Sequence, residues 1–461
     1  MIKGQRVVKL SQTVSALAVL ALLAACGEDE LILEGPREGV RDILLDAPVD
    51  AEDTTGGEVT ETDDGELVVE PVARDIDLPA AQNVSSWPQV SLNAQNLVPH
   101  LNFSTAPTRL WSADIGEGDG RKHRITADPV VADGRIYTLD AQSGVMAHDL
   151  NGAPLWSANL TPAGERQEDA TGGGLAVVDG VLYATSGFGA LVALDAATGD
   201  TLWVQDTDAA VTGAPTVRDG IIYLVSRDNR AWAIEAAEGR ILWQLPGTPS
   251  PAGLVGGAAP ALTDRVAVFP FGSSELVATL RKSGIRVWAS AVSGERRGRV
   301  YAAITDISGD PVVDGGTIYA ATQSGRVAAV NATNGERIWT AEEGAYSPVI
   351  PIADAIFLVS DDARLVRLDR ATGETVWSVD LPYFLKSKPK KFKEVYAHYG
   401  PVIAGGQVLV ASNDGLLRYF DPVDGSLTAT AEIPGGASTN PVIVDQTLYI
   451  VSQNGQLHAF R

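Results

Sequence analysis

Few groups in this 461-residue chain could do covalent or metal chemistry. There is one cysteine, Cys26, so no intramolecular disulfide and no cysteine-based metal site can form. Five histidines (His100, His123, His148, His398 and His458) are scattered, and none stands at zinc-ligand spacing from another. His148 and His458 fall at matching places in repeated segments, where a strand side chain is the plain reading. Asp195, Asp369 and Asp421 recur at one turn position, where a carboxylate bonds backbone more readily than it catalyses. No clustered acidic pair outside the repeats calls for acid–base work. The sequence therefore calls for no metal and no cofactor, and the chemistry to explain is that of Cys26 and of a few charged loops.

Cys26 ends a leader. Lys3, Arg6 and Lys9 form a positive start, and Leu10 to Ala25 is largely apolar but short of the ~20 residues of a membrane span. The run Leu23-Ala24-Ala25-Cys26-Gly27 looks like a lipobox. Small residues admit a signal peptidase after residue 25, and the thiol takes a diacylglyceryl group. Several acyl chains anchor firmly, at ~0.8 kcal/mol per buried methylene. Gly27 rather than Asp after the cysteine favours the outer membrane by the bacterial sorting rule that such lipoboxes resemble.

Residues 26–83 read as an acidic tether. Between 27 and 80 there are 18 acidic and three basic side chains and no aromatic, which accounts for most of the net charge of -23. Such a segment buries too little apolar area to offset the entropy of ordering. A specific acidic docking tail is the alternative. The chain has no basic footprint of a nucleic-acid binder. Order is expected from about Val84. Residues 84–107, with Trp87, Pro88, Pro99 and Phe103, read as a cap lying across one face or the flank of the domain C-terminal to them.

From Thr108 to the C-terminus the chain repeats. GGLAVVDGVLYATSGFGALVALDAATGDTLW ends at Trp203, and related stretches end at Trp156, Trp243, Trp288, Trp339 and Trp377. Each reads as four short strands separated by turns such as Asp133-Gly134 and Asn454-Gly455. A later copy has Leu427-Thr428 where an aliphatic-Trp pair is expected, and the last stops before that strand. The missing strand stands at the front, in Thr108-Arg109-Leu110-Trp111. The expectation is an all-β, eight-bladed propeller of four-stranded blades over 108–461, closed by the N-terminal strand on the last blade. Each tryptophan is placed to wedge against a neighbouring blade.

The pattern Ala193-Leu194-Asp195-Ala196-Ala197-Thr198-Gly199-Asp200-Thr201-Leu202-Trp203 resembles the tryptophan-docking repeat of quinoprotein dehydrogenases. Two families carry it: the pyrroloquinoline quinone alcohol and glucose dehydrogenases, and the outer-membrane assembly factor BamB. The dehydrogenase resemblance implies an adjacent Cys-Cys disulfide, which one cysteine cannot form. The lipobox, tether and lean blades look like the BamB family. That resemblance implies a non-catalytic, lipid-anchored scaffold on the periplasmic face of the outer membrane. It would act as a single copy within a hetero-oligomeric complex, docking on the periplasmic domains of a BamA-like partner. It also implies contact loops around the third to fifth blades. Leu254 matches a Leu-Arg pair while Val255 replaces its arginine; Asp306 matches an acidic loop while Ser308 stands where a second carboxylate would be. Arg296, Arg297 and Arg299 are candidates for the missing cation. Lys386, Lys388, Lys390, Lys391 and Lys393 form a basic loop facing either solvent, an acidic partner or anionic lipid. A quinone-dependent dehydrogenase and a propeller binding another envelope partner, such as peptidoglycan, remain the alternatives.

Overall fold

The computed structural model describes residues 73–461 except 251–252, 254, 295, 297–303, 387 and 389–393, together with the paired strands Val59–Glu61 and Leu67–Val69. Cys26, Leu254, Arg297 and Arg299 lie outside the described residues. So do Lys390, Lys391 and Lys393.

Eight four-stranded antiparallel sheets follow one another along residues 109–460. Blade 1 is Val130–Ala132, Arg135–Leu139, Gly144–Asp149 and Pro154–Asn159, ordered from first strand to fourth. Blades 2 to 7 span 173–206, 216–246, 261–291, 307–341, 350–380 and 398–432. Blade 8 takes three strands from 442–460 and its fourth, Arg109–Asp114, from the other end of the propeller. Trp111 sits opposite Ala459, and Thr108 and Arg461 exchange backbone hydrogen bonds. The closure expected from the sequence is the one found, and it leaves the ring no open edge between first and last blades.

Burial explains the sequence pattern. Middle strands such as Val181–Ser186 are buried on both faces, because each sheet is covered by the next. Tyr183 of blade 2, for example, packs with Ile222, Leu224 and Trp232 of blade 3. Outermost strands such as Thr201–Asp206 alternate between exposed and half-buried.

The tryptophans lock neighbouring blades together. Each of the seven on a fourth strand donates its indole N–H to a carbonyl in the turn between strands three and four of the next blade, for example Trp111 to Leu150 (3.1 Å), Trp156 to Ala196 (3.2 Å) and Trp339 to Arg370 (3.0 Å). Its ring lies against the glycine of that turn. A Cβ on Gly373 would stand 2.4 Å from Trp339, and the φ of +79° there suits glycine as well. Thr428 breaks the series for a structural reason. It belongs to blade 7, and the next blade has no such turn, because there the third strand ends at the C-terminus and the fourth is supplied by the N-terminal strand. A tryptophan at 428 would have nothing to dock on.

The cap expected from Val84 begins earlier. Arg74 pairs with Asp369 at 2.6 Å, and its backbone N–H donates to Val423 O. Arg367, buried inside blade 6, donates to the carbonyls of Arg74 and Asp75. Within the stretch read as a tether, the chain at Arg74 and Asp75 is bonded to the propeller, and Val59–Glu61 pairs with Leu67–Val69. Acidic composition does not prevent order where arginines and backbone donors of the propeller satisfy the chain.

The cap crosses one mouth of the central channel. Trp87 exchanges backbone hydrogen bonds with Val131 in blade 1, and Val177 N donates to Pro88 O in blade 2. Val217 N donates to the Gln89 side chain, Leu262 N to Ala94 O and Val313 N to Gln95 O, in blades 3 to 5. Gly405 N donates to Leu101 O and Asp445 N to Val84 O, in blades 7 and 8. In blade 6 the matching position is Pro351, which has no N–H to give. The Arg367 guanidinium makes the tie there instead. Among the described residues, the opposite face, formed by the turns between strands two and three and the links between blades, carries the cavity at the other mouth of the channel.

Candidate functional site: the open face

The blade-to-blade links and turns of the open face carry the residues singled out by sequence. Asp306 ends the link into blade 5 and faces a cleft of about 190 Å³ shared with Arg227, Asn229, Gly253 and Gly272. A methyl built on Gly253 would stand 2.7 Å from Asp306 Oδ2 and 2.8 Å from Arg227 Nη1, so both side chains lie against this glycine. Arg227 Nη2 also donates to Gly253 O at 2.9 Å. Val255, two residues on, is 51% exposed, a large apolar side chain presented to solvent. Ser308 turns away: it is buried and donates to Ala345 O at 2.6 Å.

Arg296 is committed elsewhere. It lies 2.6 Å from Asp361, 3.1 Å from Asp362 and 3.2 Å from Glu343, and Arg364 pairs with Glu343 at 2.8 Å. Its methylene stem packs over Gly325. Asp361 and its neighbours hold the guanidinium charged against the effect of its burial. Arg296 is therefore a strut between blades 5 and 6. The cation found beside Asp306 is Arg227, from the turn between strands two and three of blade 3. Sequence reading missed it because that turn lies 79 residues before Asp306 in the chain. Lys386 lies 3.8 Å from Glu394 within its own loop.

The open mouth of the channel holds a larger cavity, of about 620 Å³. Tyr346, Tyr383, Tyr396 and Tyr399 line it with Val255 and Ile125, together with Asp119, Asp128 and Asn440. His398 is fixed in its wall: Nδ1 bonds Ser412 at 2.6 Å and Nε2 lies 2.8 Å from Pro382 O, and burial lowers its pKa. Beside the cavity, Asp310 joins Asp128. Burial pushes the Asp128 carboxyl up to about 6 and that of Asp310 up to about 7, with the charge of Asp128 adding to the latter. Both carboxylates precede a proline at the head of a first strand, in Asp128-Pro129-Val130 and Asp310-Pro311-Val312. That repeated dipeptide was the available sequence signal. Among the described residues, no three His, Cys, Asp or Glu side chains group as a metal site.

An eight-bladed propeller of tryptophan-docking repeats, sealed on one face and carrying its charged loops on the other, defines the class of protein. The family model described as outer membrane protein assembly factor BamB matches residues 141–379, and the chain belongs to that family. It is 30% identical over 368 residues to BamB of Salmonella typhimurium (strain LT2), covering 78% of this chain and 91% of that one. It is 34% identical over 366 residues to BamB of Xanthomonas campestris pv. campestris, covering 77% and 85%. The crystal structure of BamB from Moraxella catarrhalis is similar in fold, with a TM-score of 0.65 at 22% identity, covering 77% of this chain and all of that one. A quinohemoprotein alcohol dehydrogenase from Comamonas testosteroni shares the fold nearly as well, with a TM-score of 0.64 at 17% identity, covering 82% and 81%.

Proposed function

We propose that this chain is a non-catalytic scaffold of outer-membrane protein assembly, held by acylated Cys26 to the periplasmic face of the outer membrane. It docks through its open face on the periplasmic domains of a BamA-like partner and supports folding and insertion of outer-membrane proteins. Membership of the BamB family supports the assembly role. The observation that carries the docking reading is the cleft where Arg227 and Asp306 flank Gly253, beside exposed Val255. Both charge signs and an apolar anchor stand within one patch, the mixture that small, well-placed interface anchors use. Leu254, Arg297 and Arg299 belong to this proposal on sequence grounds alone, and Arg296 belongs to it as the strut of the neighbouring loop.

The test is recovery of the partner with tagged full chain from detergent-solubilised membranes. Val255→Asp combined with Asp306→Arg is expected to lower recovery of the BamA-like protein by about tenfold or more, with thermal melting unchanged. Undiminished recovery would remove this patch from the proposal, and absence of the partner from the unaltered sample would remove the docking role itself.

A further inference from the structure

We propose that the tyrosine-lined cavity at the open mouth of the channel binds the guanidinium or ammonium side chain of an extended polypeptide, with Asp128 and Asp310 as the charges it meets. The tyrosines and the carboxylates point to the same guest. Tyr346, Tyr383 and Tyr396 come from two different blade-to-blade links, Tyr399 comes from the first strand of blade 7, and all four line one space of about 620 Å³. Aromatic faces around a cavity attract cations, and arginine most of all. Asp128 lines this cavity, and Asp310 lines an adjoining space of about 100 Å³ that shares Asp128 and Tyr346 with it. Asp128 accepts hydrogen bonds from Asn440 N (2.8 Å) and Nδ2 (2.9 Å), and Asp310 accepts from Ala259 N (2.6 Å). Neither carboxylate has an ion-pair partner among the described residues. Asp119, at the rim, is held by Ser438 and Ile125 N and lies 3.8 Å from exposed Arg124.

Two buried, coupled carboxylates without a cation are a costly arrangement. A guest cation relieves it. A bare metal ion is a poor match for a space this large with tyrosine walls, because hard cations take several oxygen ligands at short range. An organic cation on a flexible stem fits both the space and the aromatic walls. The cap seals the far end of the channel, so the guest enters and leaves by the open face, and an extended chain lies across the mouth with one side chain inserted. The site shares Val255 with the docking patch but not Arg227 or Asp306, so Asp128 and Asp310 variants test it apart from the docking proposal.

The experiment uses the full chain in detergent and a fluorescent pentapeptide, Gly-Ala-Arg-Ala-Gly, against a twin carrying citrulline, which keeps the shape and removes the charge. Fluorescence anisotropy is expected to show saturable binding of the arginine peptide, about tenfold tighter than its twin. The Asp128→Asn, Asp310→Asn double variant, checked by thermal melting to be folded, is expected to lose that preference, whereas Asp306→Arg is expected to keep it. Equal affinity for the two peptides, or a preference that survives the double variant, overturns the proposal. So does displacement of the peptide by equimolar spermidine or calcium, since either would make the guest a free cation.

Discussion

Asp310 and Asp128 set the residue scale, because they are the groups whose burial is least compensated within the chain. Tyr346 is the other titratable side chain lining that part of the channel, and its hydroxyl is pushed up to about 12, so it stays neutral across the range concerned. The folded Asp310 carboxyl titrates about 7, against the ordinary 3.8. Between those values the folded state holds a proton that the unfolded state has released. Stability therefore falls as pH rises through this window. Asp310→Asn is expected to raise the melting temperature at pH 8 and to change it little at pH 4.5; an equal shift at both values would contradict the burial argument. Residues of this kind were legible only in part. The Asp-Pro head of a first strand is visible in the sequence, but that two of eight such positions face each other across a channel depends on ring closure. Arg227 was not legible at all, since only the packing of adjacent blades brings it to Asp306. The partners of Arg296 were not legible either: sequence proximity to Asp306 says nothing about Glu343, Asp361 and Asp362, which the fold brings to it.

At the scale of elements, the blades were readable because their period is written in residues with strong local demands: a glycine in each three-to-four turn and a tryptophan four residues on. Gly373 shows why the glycine recurs, since it receives the ring of Trp339 from the preceding blade. Both the positive φ and the tryptophan ring exclude a side chain. Gly373→Ala is expected to destabilise the protein by about 2 kcal/mol in urea unfolding. By contrast, Thr428→Trp is expected to give no gain, because blade 8 offers no turn to receive the indole. A stabilisation like that of a native tryptophan would overturn this explanation of the degenerate repeat. The cap was legible as an ordered segment but not as a plug. It has no period, and it accepts bonds from amides in or just after the first strands of successive blades. Amides of Val131, Leu262, Val313 and Gly405 are expected to exchange as slowly as those of the middle strands. In a chain lacking residues 73–104 they are expected to exchange at least about tenfold faster, and unchanged exchange would show that the cap does not protect the inner strands.

For the whole molecule, the architecture assigns different work to the two faces. The capped face is stitched across seven blades by main-chain or Gln89 hydrogen bonds and across the eighth by Arg367. The open face keeps the Arg227–Asp306 cleft, exposed Val255 and the tyrosine cavity. Family membership supports a role in outer-membrane protein assembly, and the same fold in a quinohemoprotein enzyme shows that the blades alone do not decide function. Site-specific photo-crosslinking in membranes addresses the division of faces most directly. Probes at Val255 and Asp306 are compared with probes at Asn151 and Ala197, exposed turn residues of the capped face. The expected result is a covalent adduct with a BamA-like protein from Val255 and Asp306 and none from Asn151 or Ala197. Adducts from the capped face alone would contradict the docking of this protein through its open face.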